Sequence, residues 1–140
     1  MILDVRTPEG LQVQERLGTD VAIWLTTVRA DGQPQTSPVW FLWEEGQTVL
    51  IYSRPHQPKL RNIRSNPRVS LNLDGDHRGG DVVVIEGVAE IVEDAQPASE
   101  VPEYLGKYLE HIRRLGTEAQ PFARLYSVAV RVTPTRLRVY

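Results

Sequence analysis

Six short segments rich in β-branched and aromatic residues recur along the chain, and turn or loop residues separate most of them. This composition is typical of strands. The helical segments stand apart rather than alternating with the strands, which favours an antiparallel barrel, closed or split, over a doubly wound parallel sheet. The predicted strands are 21–29, 35–43, 48–53, 69–73, 82–92 and 126–132, the last continuing through Arg138 after a break at Thr133-Pro134.

Turn residues mark the connections between the first three predicted strands. We expect Asp31-Gly32 to supply the left-handed positions of a tight hairpin. Glu44-Glu45-Gly46 predicts the next turn. Pro38 lies inside the second strand and cannot donate to a ladder, so that strand should be bent, bulged or at a sheet edge.

Three helices accompany the strands. The first is expected to be capped by Thr7, to have Pro8 at its first position and to stop at Gly18 after Leu17. A brief second helix covers 59–65 and ends at Asn66-Pro67. The third covers 102–115 and has an apolar stripe at helical spacing, formed by Tyr104, Leu105, Tyr108, Leu109 and Ile112.

Length and composition limit the classes of function. The 140 residues, 41% of them hydrophobic, predict one domain over 1–140. The chain has no cysteine, which excludes disulfides, thiolate metal sites and a cysteine nucleophile. Apolar runs are too short to span a bilayer, and the first residues have no secretory pattern, so we expect a cytoplasmic protein.

Sequence patterns for metal and hydrolase sites are missing. His56, His77 and His111 are far apart and have no partner at ligand spacing, so we predict no metal site. The chain also contains no GxSxG sequence. Neither metal-assisted nor serine-based hydrolysis is therefore indicated.

The most informative feature is an asymmetric distribution of charge. No Asp or Glu occurs between Gly46 and Leu73. A strand end, a loop and a helix start occur within this stretch, where hydroxyl, amide and cationic donors could converge on a phosphate. A solvated basic face is the alternative. The cations are Arg54, Lys59, Arg61, Arg64 and Arg68.

A second feature is the aromatic segment 37–43, which contains Trp40, Phe41 and Trp43. These side chains, and Trp24 on the first strand, fit an ordinary core. A proline-bent strand with aromatic neighbours could instead present its backbone to the edge of a flat heteroaromatic ring.

Taken together, these segments resemble the pyridoxamine-phosphate-oxidase-like split β-barrel family. The resemblance rests on AIWLTTVRADGQP at 22–34, TSPVWF at 36–41 and VRVTPTR at 130–136. YSR at 52–54, KLRNI at 59–63 and NPRV at 66–69 are similar in particular to its deazaflavin branch, the reductases that use coenzyme F420.

The resemblance implies a mainly β fold with two or three short flanking helices: a six-stranded antiparallel split β-barrel of the FMN-binding type. It also implies a homodimer with the cofactor groove at the subunit interface. The strand residues Ser37, Pro38, Val39 and Trp40 would lie against the deazaflavin ring. Tyr52, Ser53 and Arg54 would border the ring and the ribityl chain, and Lys59, with Arg61 and Asn62, would hold the phosphate.

The implied activity is hydride transfer between reduced deazaflavin and a small organic acceptor. The cofactor carries the difficult step. The resemblance identifies no catalytic acid or base, although Tyr52 or Tyr126 could donate a proton. Arg61, Arg64 and Arg78 could contact the polyglutamate tail that F420 has and FMN lacks.

Alternatives remain open. An FMN-binding oxidoreductase or a non-catalytic flavin or deazaflavin carrier would use the same groove. A nucleic-acid-binding barrel is least favoured, because only Tyr52 lies near the basic residues and stacking platforms interleave aromatics with cations. Pyridoxamine phosphate oxidases proper usually end in Arg-Leu-x-Pro, where this chain has Arg136-Leu137-Arg138-Val139, so oxidation of vitamin B6 is disfavoured.

Overall fold

The computed structural model describes residues 2–140. Its helices are α1 (Pro8–Thr19), α2 (Pro58–Ser65), α3 (Pro102–Arg114) and α4 (Ala119–Leu125), with a short 3-10 helix at Ala98–Glu100. Its strands are β1 (Ala22–Val28), β2 (Pro34–Trp40), β3 (Leu42–Glu44), β4 (Thr48–Ser53), β5 (Arg68–Leu73), β6 (Val83–Val92) and β7 (Val128–Val139).

The seven strands form one antiparallel sheet in the order β2-β1-β5-β6-β7-β4-β3. Strands β2 and β3 are its two opposite edges, yet only Phe41 separates them along the chain. The sheet must therefore curl until its edges meet at Phe41. The predicted mainly β split-barrel fold is confirmed, with seven strands because the second predicted strand divides in two.

Alternation along the strands places one core inside the curl and a second outside it. On β5, Val69, Leu71 and Leu73 point inward and are buried, as predicted. Helix α1 adds Val13 and Leu17 to this inner core. The outer core covers β4 and the first half of β7, where α3 and α4 pack. Its members include Leu50, Tyr52, Tyr104, Tyr108, Ile112, Phe122 and Ala129.

The two sheet edges meet at Phe41, and we call this meeting point of β2 and β3 the seam. Helix α3 provides hydrogen bonds to it. Phe41 is fully buried, and its N–H donates to the Tyr108 hydroxyl at 2.8 Å. Its carbonyl accepts a hydrogen bond from Lys107 Nζ at 2.9 Å. The backbone groups of this residue thus find side-chain partners where the strand pairing is interrupted.

Several element boundaries differ from the sequence predictions. The second strand breaks at Phe41 rather than bending at Pro38, which lies on an edge strand as expected. Thr7 caps α1 by accepting from the Gly10 amide, but α1 continues through Gly18 to Thr19. In the first hairpin only Gly32 has a positive φ, at 92°, so the turn needs one left-handed residue rather than two.

The C-terminal strand shows two further differences. Tyr126 follows α4 instead of beginning a strand, and β7 runs unbroken through the predicted interruption at Thr133-Pro134. The ladder skips Thr135 there, since Gly87 pairs with Pro134 and Glu86 with Arg136. A β-bulge absorbs the proline and lets β7 continue to Val139.

Within residues 2–140, no helix has the length and apolar character that a membrane span requires.

Gly87 is required by the close approach of β7 to β6. An added Cβ would lie 2.7 Å from Val132 Cγ1 and 2.8 Å from the Thr133 carbonyl oxygen. We expect Gly87→Ala to lower the free energy of unfolding by about 1–3 kcal/mol, because the core is overpacked. Denaturant titration measures this.

Gly106 provides the matched control, because it lies in α3 and, apart from the backbone of that helix and its chain neighbours, no atom of residues 2–140 is within 4 Å of its added Cβ. Gly106→Ala should stabilise the protein by about 0.5–1 kcal/mol through helix propensity. Equal effects at the two glycines would contradict the proposed packing at Gly87.

Lys107 gives the stability of the protein a specific pH dependence. Burial of its ammonium lowers its pKa from 10.5 to about 8, partly opposed by Asp20. Between these two values the unfolded chain binds more protons than the folded one, so this group makes the free energy of unfolding rise with pH. Denaturant titrations from pH 7 to pH 10.5 should show a rise that Lys107→Met lacks. Parallel pH curves for the two proteins would contradict the assigned pKa.

Candidate functional site

A groove of about 510 Å³ opens beside the seam. Edge strand β2 forms one side, the end of β4 and the start of α2 form its polar end, and α3 and α4 form the outer wall. Its lining residues are Ala22, Pro38, Val39, Trp40, Tyr52, Ser53, Arg54, Gln57, Lys59, Tyr104, Leu115, Phe122 and Tyr126.

The fold brings most of the predicted site residues together in this groove. Pro38, Val39 and Trp40 reach it from β2, Tyr52 and Ser53 from β4, and Arg54 and Lys59 from the connection into α2. Trp40 on β2 and Tyr52 on β4, which are 12 residues apart in sequence, thus contribute to one surface because the sheet curls.

Three predicted residues lie outside the lining of the groove. Ser37 is half-buried on β2, and Arg61 is exposed on α2. Asn62 is buried, and its Nδ2 donates to Thr27 Oγ1 and Gln35 Oε1, each at 2.9 Å. Both amide protons of Asn62 therefore hold α2 against the β1–β2 pair.

The polar end of the groove has cationic side chains without counter-charges. Lys59 is half-buried, and burial lowers its pKa. Across residues 2–140, no carboxylate lies within salt-bridge distance of Lys59 or Arg54. The Arg54 guanidinium lies 5.5 Å from the centre of the Tyr126 ring. An anion could offset the cost of holding these charges together.

The opposite wall is a continuous stack of aromatic rings. The ring of Trp40 lies 4.7 Å from that of Tyr108 at an interplanar angle of 7°, and 5.6 Å from that of Phe122. Phe122 stacks in turn on Tyr126 at 4.5 Å. Packed aromatic pairs stabilise one another beyond simple burial. Trp40, Phe122 and Tyr126 line the groove, and the buried Tyr108 supports Trp40 from behind.

The sequence interpretation missed the contribution of α4. It left Phe122 unassigned and placed Tyr126 in a strand. The available signal was the spacing of four residues between these two rings, which puts them on one face of a helix.

The two tyrosines considered as proton donors have different surroundings. The Tyr52 hydroxyl donates to the Gln96 carbonyl at 2.6 Å, and its pKa is raised by burial and by the charge of Glu44. The Tyr126 hydroxyl makes no hydrogen bond to any residue from 2 to 140, and its ring lines the groove beside Arg54. Of these two tyrosines, Tyr126 is the one whose hydroxyl proton is not already donated within residues 2–140.

Comparison with known proteins bears on this combination of fold and groove. The family model described as pyridoxamine 5'-phosphate oxidase matches residues 11–140. The chain belongs to this family. The family binds flavins and includes oxidoreductases, in agreement with the resemblance inferred from the sequence.

Solved structures show how widely the fold is used. A protein described as an F420 reductase is 26% identical, with a TM-score of 0.67 over 89% of this chain and 94% of its own. A conserved hypothetical protein from Mycobacterium tuberculosis is 28% identical, with a TM-score of 0.69 over 91% and 81% of the two chains. The heme storage protein HutZ from Vibrio cholerae shares the fold at 19% identity and a TM-score of 0.65, covering 92% of each chain.

Proposed function

We propose that the protein is a coenzyme F420-dependent reductase that transfers a hydride between reduced deazaflavin and a small organic acceptor. The observation that carries this proposal is the groove itself. At one end of its apolar aromatic wall lies a half-buried Lys59, and no carboxylate from residues 2–140 is within salt-bridge distance of it. A flat ring attached to a phosphate combines the two chemistries that the groove offers. The 26% identity to a protein described as an F420 reductase favours the deazaflavin over a flavin.

The cofactor would be held by residues of both ends of the groove. Pro38, Val39 and Trp40 would contact the ring, and Ser37 would contribute from the same strand. Tyr52, Ser53 and Arg54 would border the ring and the ribityl chain. Lys59 would bind the phosphate, with Arg61 beside it and Asn62 supporting α2 from below. A charge-assisted hydrogen bond contributes roughly 1.5–3 kcal/mol, so Lys59 is the main anchor.

When bound, the reduced deazaflavin supplies the hydride. The protein's own contribution is to orient the reactants and exclude water. The rings of Trp40, Phe122 and Tyr126 stack on one another, so they would offer the acceptor an apolar surface made of ring edges. Tyr126 is the better proton donor, because the hydroxyl of Tyr52 is already bonded to the Gln96 carbonyl.

An FMN-binding oxidoreductase and a non-catalytic carrier are the alternatives. Both would use the same cations and the same wall. Turnover of reduced F420 with a set of organic acceptors separates the reductase from the carrier, because a carrier binds the cofactor without oxidising it.

We further propose a homodimer in the cytoplasm, in which the single domain 1–140 places its groove at the subunit interface. The outer face of β1, β5 and β6 supports this assembly. It holds a second depression of about 470 Å³ and the exposed Val88. Its lining is mixed, apolar at Val28 and Val88 and polar at Thr26, Ser70 and Glu86, and protein–protein contact surfaces combine both kinds of residue.

Removal of the Lys59 ammonium tests the proposed phosphate contact. Lys59→Ala should weaken F420 binding by about tenfold or more, the effect of losing one charged phosphate contact. Fluorescence titration measures the dissociation constant, and the thermal midpoint should change little because Lys59 lies in the first turn of α2, at the rim of the groove.

Arg29→Ala is the control, because it removes the same charge at the hairpin end of β1. Its exposed ion pair with Asp31 contributes little to stability. A folded Lys59→Ala protein that binds F420 as tightly as Arg29→Ala does would contradict the phosphate assignment.

Discrimination between F420 and FMN gives a second test. We expect Arg61→Glu combined with Arg64→Glu to weaken F420 binding by roughly tenfold, through repulsion of the polyglutamate tail. FMN lacks that tail, so its affinity for the same variant serves as the internal control. Equal losses for the two ligands would place both arginines near the shared phosphate instead.

A further inference from the structure

The seam of the barrel contains a hydrogen-bond arrangement that the proposed function leaves unused. Phe41 lies between β2 and β3 and has no partner in either strand pairing. Two consecutive residues of α3 take the place of the ladder. The Tyr108 hydroxyl accepts from the Phe41 N–H, and Lys107 Nζ donates to the Phe41 carbonyl.

The Tyr108 hydroxyl has a single proton, but two carbonyl oxygens lie within its reach. The Val21 oxygen is 2.6 Å away, and the Phe41 oxygen is 3.0 Å away. With Lys107 donating to Phe41, the hydroxyl proton is free to go to Val21. Without Lys107, the two carbonyls would compete for one proton, and one of them would be left unsatisfied.

Partial burial of the charged Lys107 ammonium lowers the stability of the folded protein unless other contacts offset it. It lies 3.7 Å from the centre of the Phe41 ring and is half-buried, and this burial lowers its pKa to about 8. Desolvation of a charge costs free energy. A neutral apolar side chain would avoid this desolvation, but it would leave the Phe41 carbonyl without the donor that Lys107 provides.

Each of the two carbonyls belongs to a residue whose neighbour in the chain lines the groove. Val21 precedes Ala22, and Phe41 follows Trp40. Ala22 and Trp40 are partners in the β1–β2 ladder, and both line the groove. The ring of Trp40 also stacks on Tyr108 itself.

We propose that Lys107 is a positioning residue for the cofactor groove. By satisfying the Phe41 carbonyl, it directs the Tyr108 hydroxyl to Val21, so that one turn of α3 fixes the two strand ends that flank Trp40. This inference rests on the proposed function for its effect on the cofactor, whereas its effect on the seam is independent of any ligand.

The test compares wild-type protein with Lys107→Met and Lys107→Arg. Methionine keeps the packing of the side-chain stem and removes the donor and the charge, and arginine restores both. Hydrogen exchange followed by mass spectrometry reports on residues 38–42 in the ligand-free protein. Fluorescence titration then gives the dissociation constant for F420.

For Lys107→Met we expect exchange in 38–42 to accelerate by about tenfold, the size of one lost hydrogen bond to a charged group. Exchange in β5 and β6 should stay unchanged. The F420 dissociation constant should rise by roughly fivefold or more, while the thermal midpoint at pH 7 changes little, because relief of the desolvated charge offsets the lost hydrogen bond. Lys107→Arg should restore both exchange and affinity.

Unchanged exchange in 38–42, or faster exchange with unchanged F420 affinity, would overturn the proposal. A Lys107→Met protein that fails to fold would overturn it too, by showing that the fold requires the ammonium. If wild-type protein binds no F420, the proposed function fails. The exchange data then decide by themselves whether Lys107 holds the seam.

Discussion

One buried residue links the two opposite edges of the sheet, and this short connection determines the rest of the architecture. Because only Phe41 separates β2 from β3, the seven-stranded sheet cannot remain open. Curling creates the inner core, and it brings the aromatic end of β2 next to the end of β4. The groove is a direct consequence, since an open sheet would hold β2, at one edge, far from β4, which lies next to the other edge.

Helices α3 and α4, on the outside of the curled sheet, complete the groove. Helix α3 provides hydrogen bonds to the seam through Lys107 and Tyr108, and α4 adds Phe122 to the ring of Trp40. The sequence from Gly46 to Leu73 contains no acidic residue, and no carboxylate from residues 2–140 lies within salt-bridge distance of Arg54 or Lys59. Aromatic wall and cationic end thus arise from separate parts of the chain, and the groove combines them.

Local sequence signals predicted a large part of this structure. Strand 48–53 has the predicted bounds, and α2 and β5 begin within one residue of prediction, because proline and alternating apolar residues mark them clearly. The basic cluster also indicated the polar end of the groove.

Features that depend on distant contacts could not be predicted in this way. At the break between β2 and β3, the Phe41 N–H donates to the hydroxyl of Tyr108, which is 67 residues away. The bulge at Thr135 depends on the close approach of β7 to Gly87. Helix α4 is short and begins after an uncapped Glu118, so its local signal is weak. Asn62 of α2 was predicted to contact phosphate, but its side-chain amide donates to Thr27 on β1 and Gln35 on β2. These partners are distant in sequence, so the sequence alone could not show that the amide is occupied.

The most direct test of the central claim is a pair of titrations of the purified protein, one with F420 and one with FMN, followed by fluorescence quenching. The proposed reductase should bind F420 at least about tenfold more tightly than FMN, a difference of about 1.4 kcal/mol in binding free energy. Tighter binding of FMN would contradict the deazaflavin assignment while keeping the phosphate site. Binding of neither ligand would contradict the assignment of this groove to a cofactor.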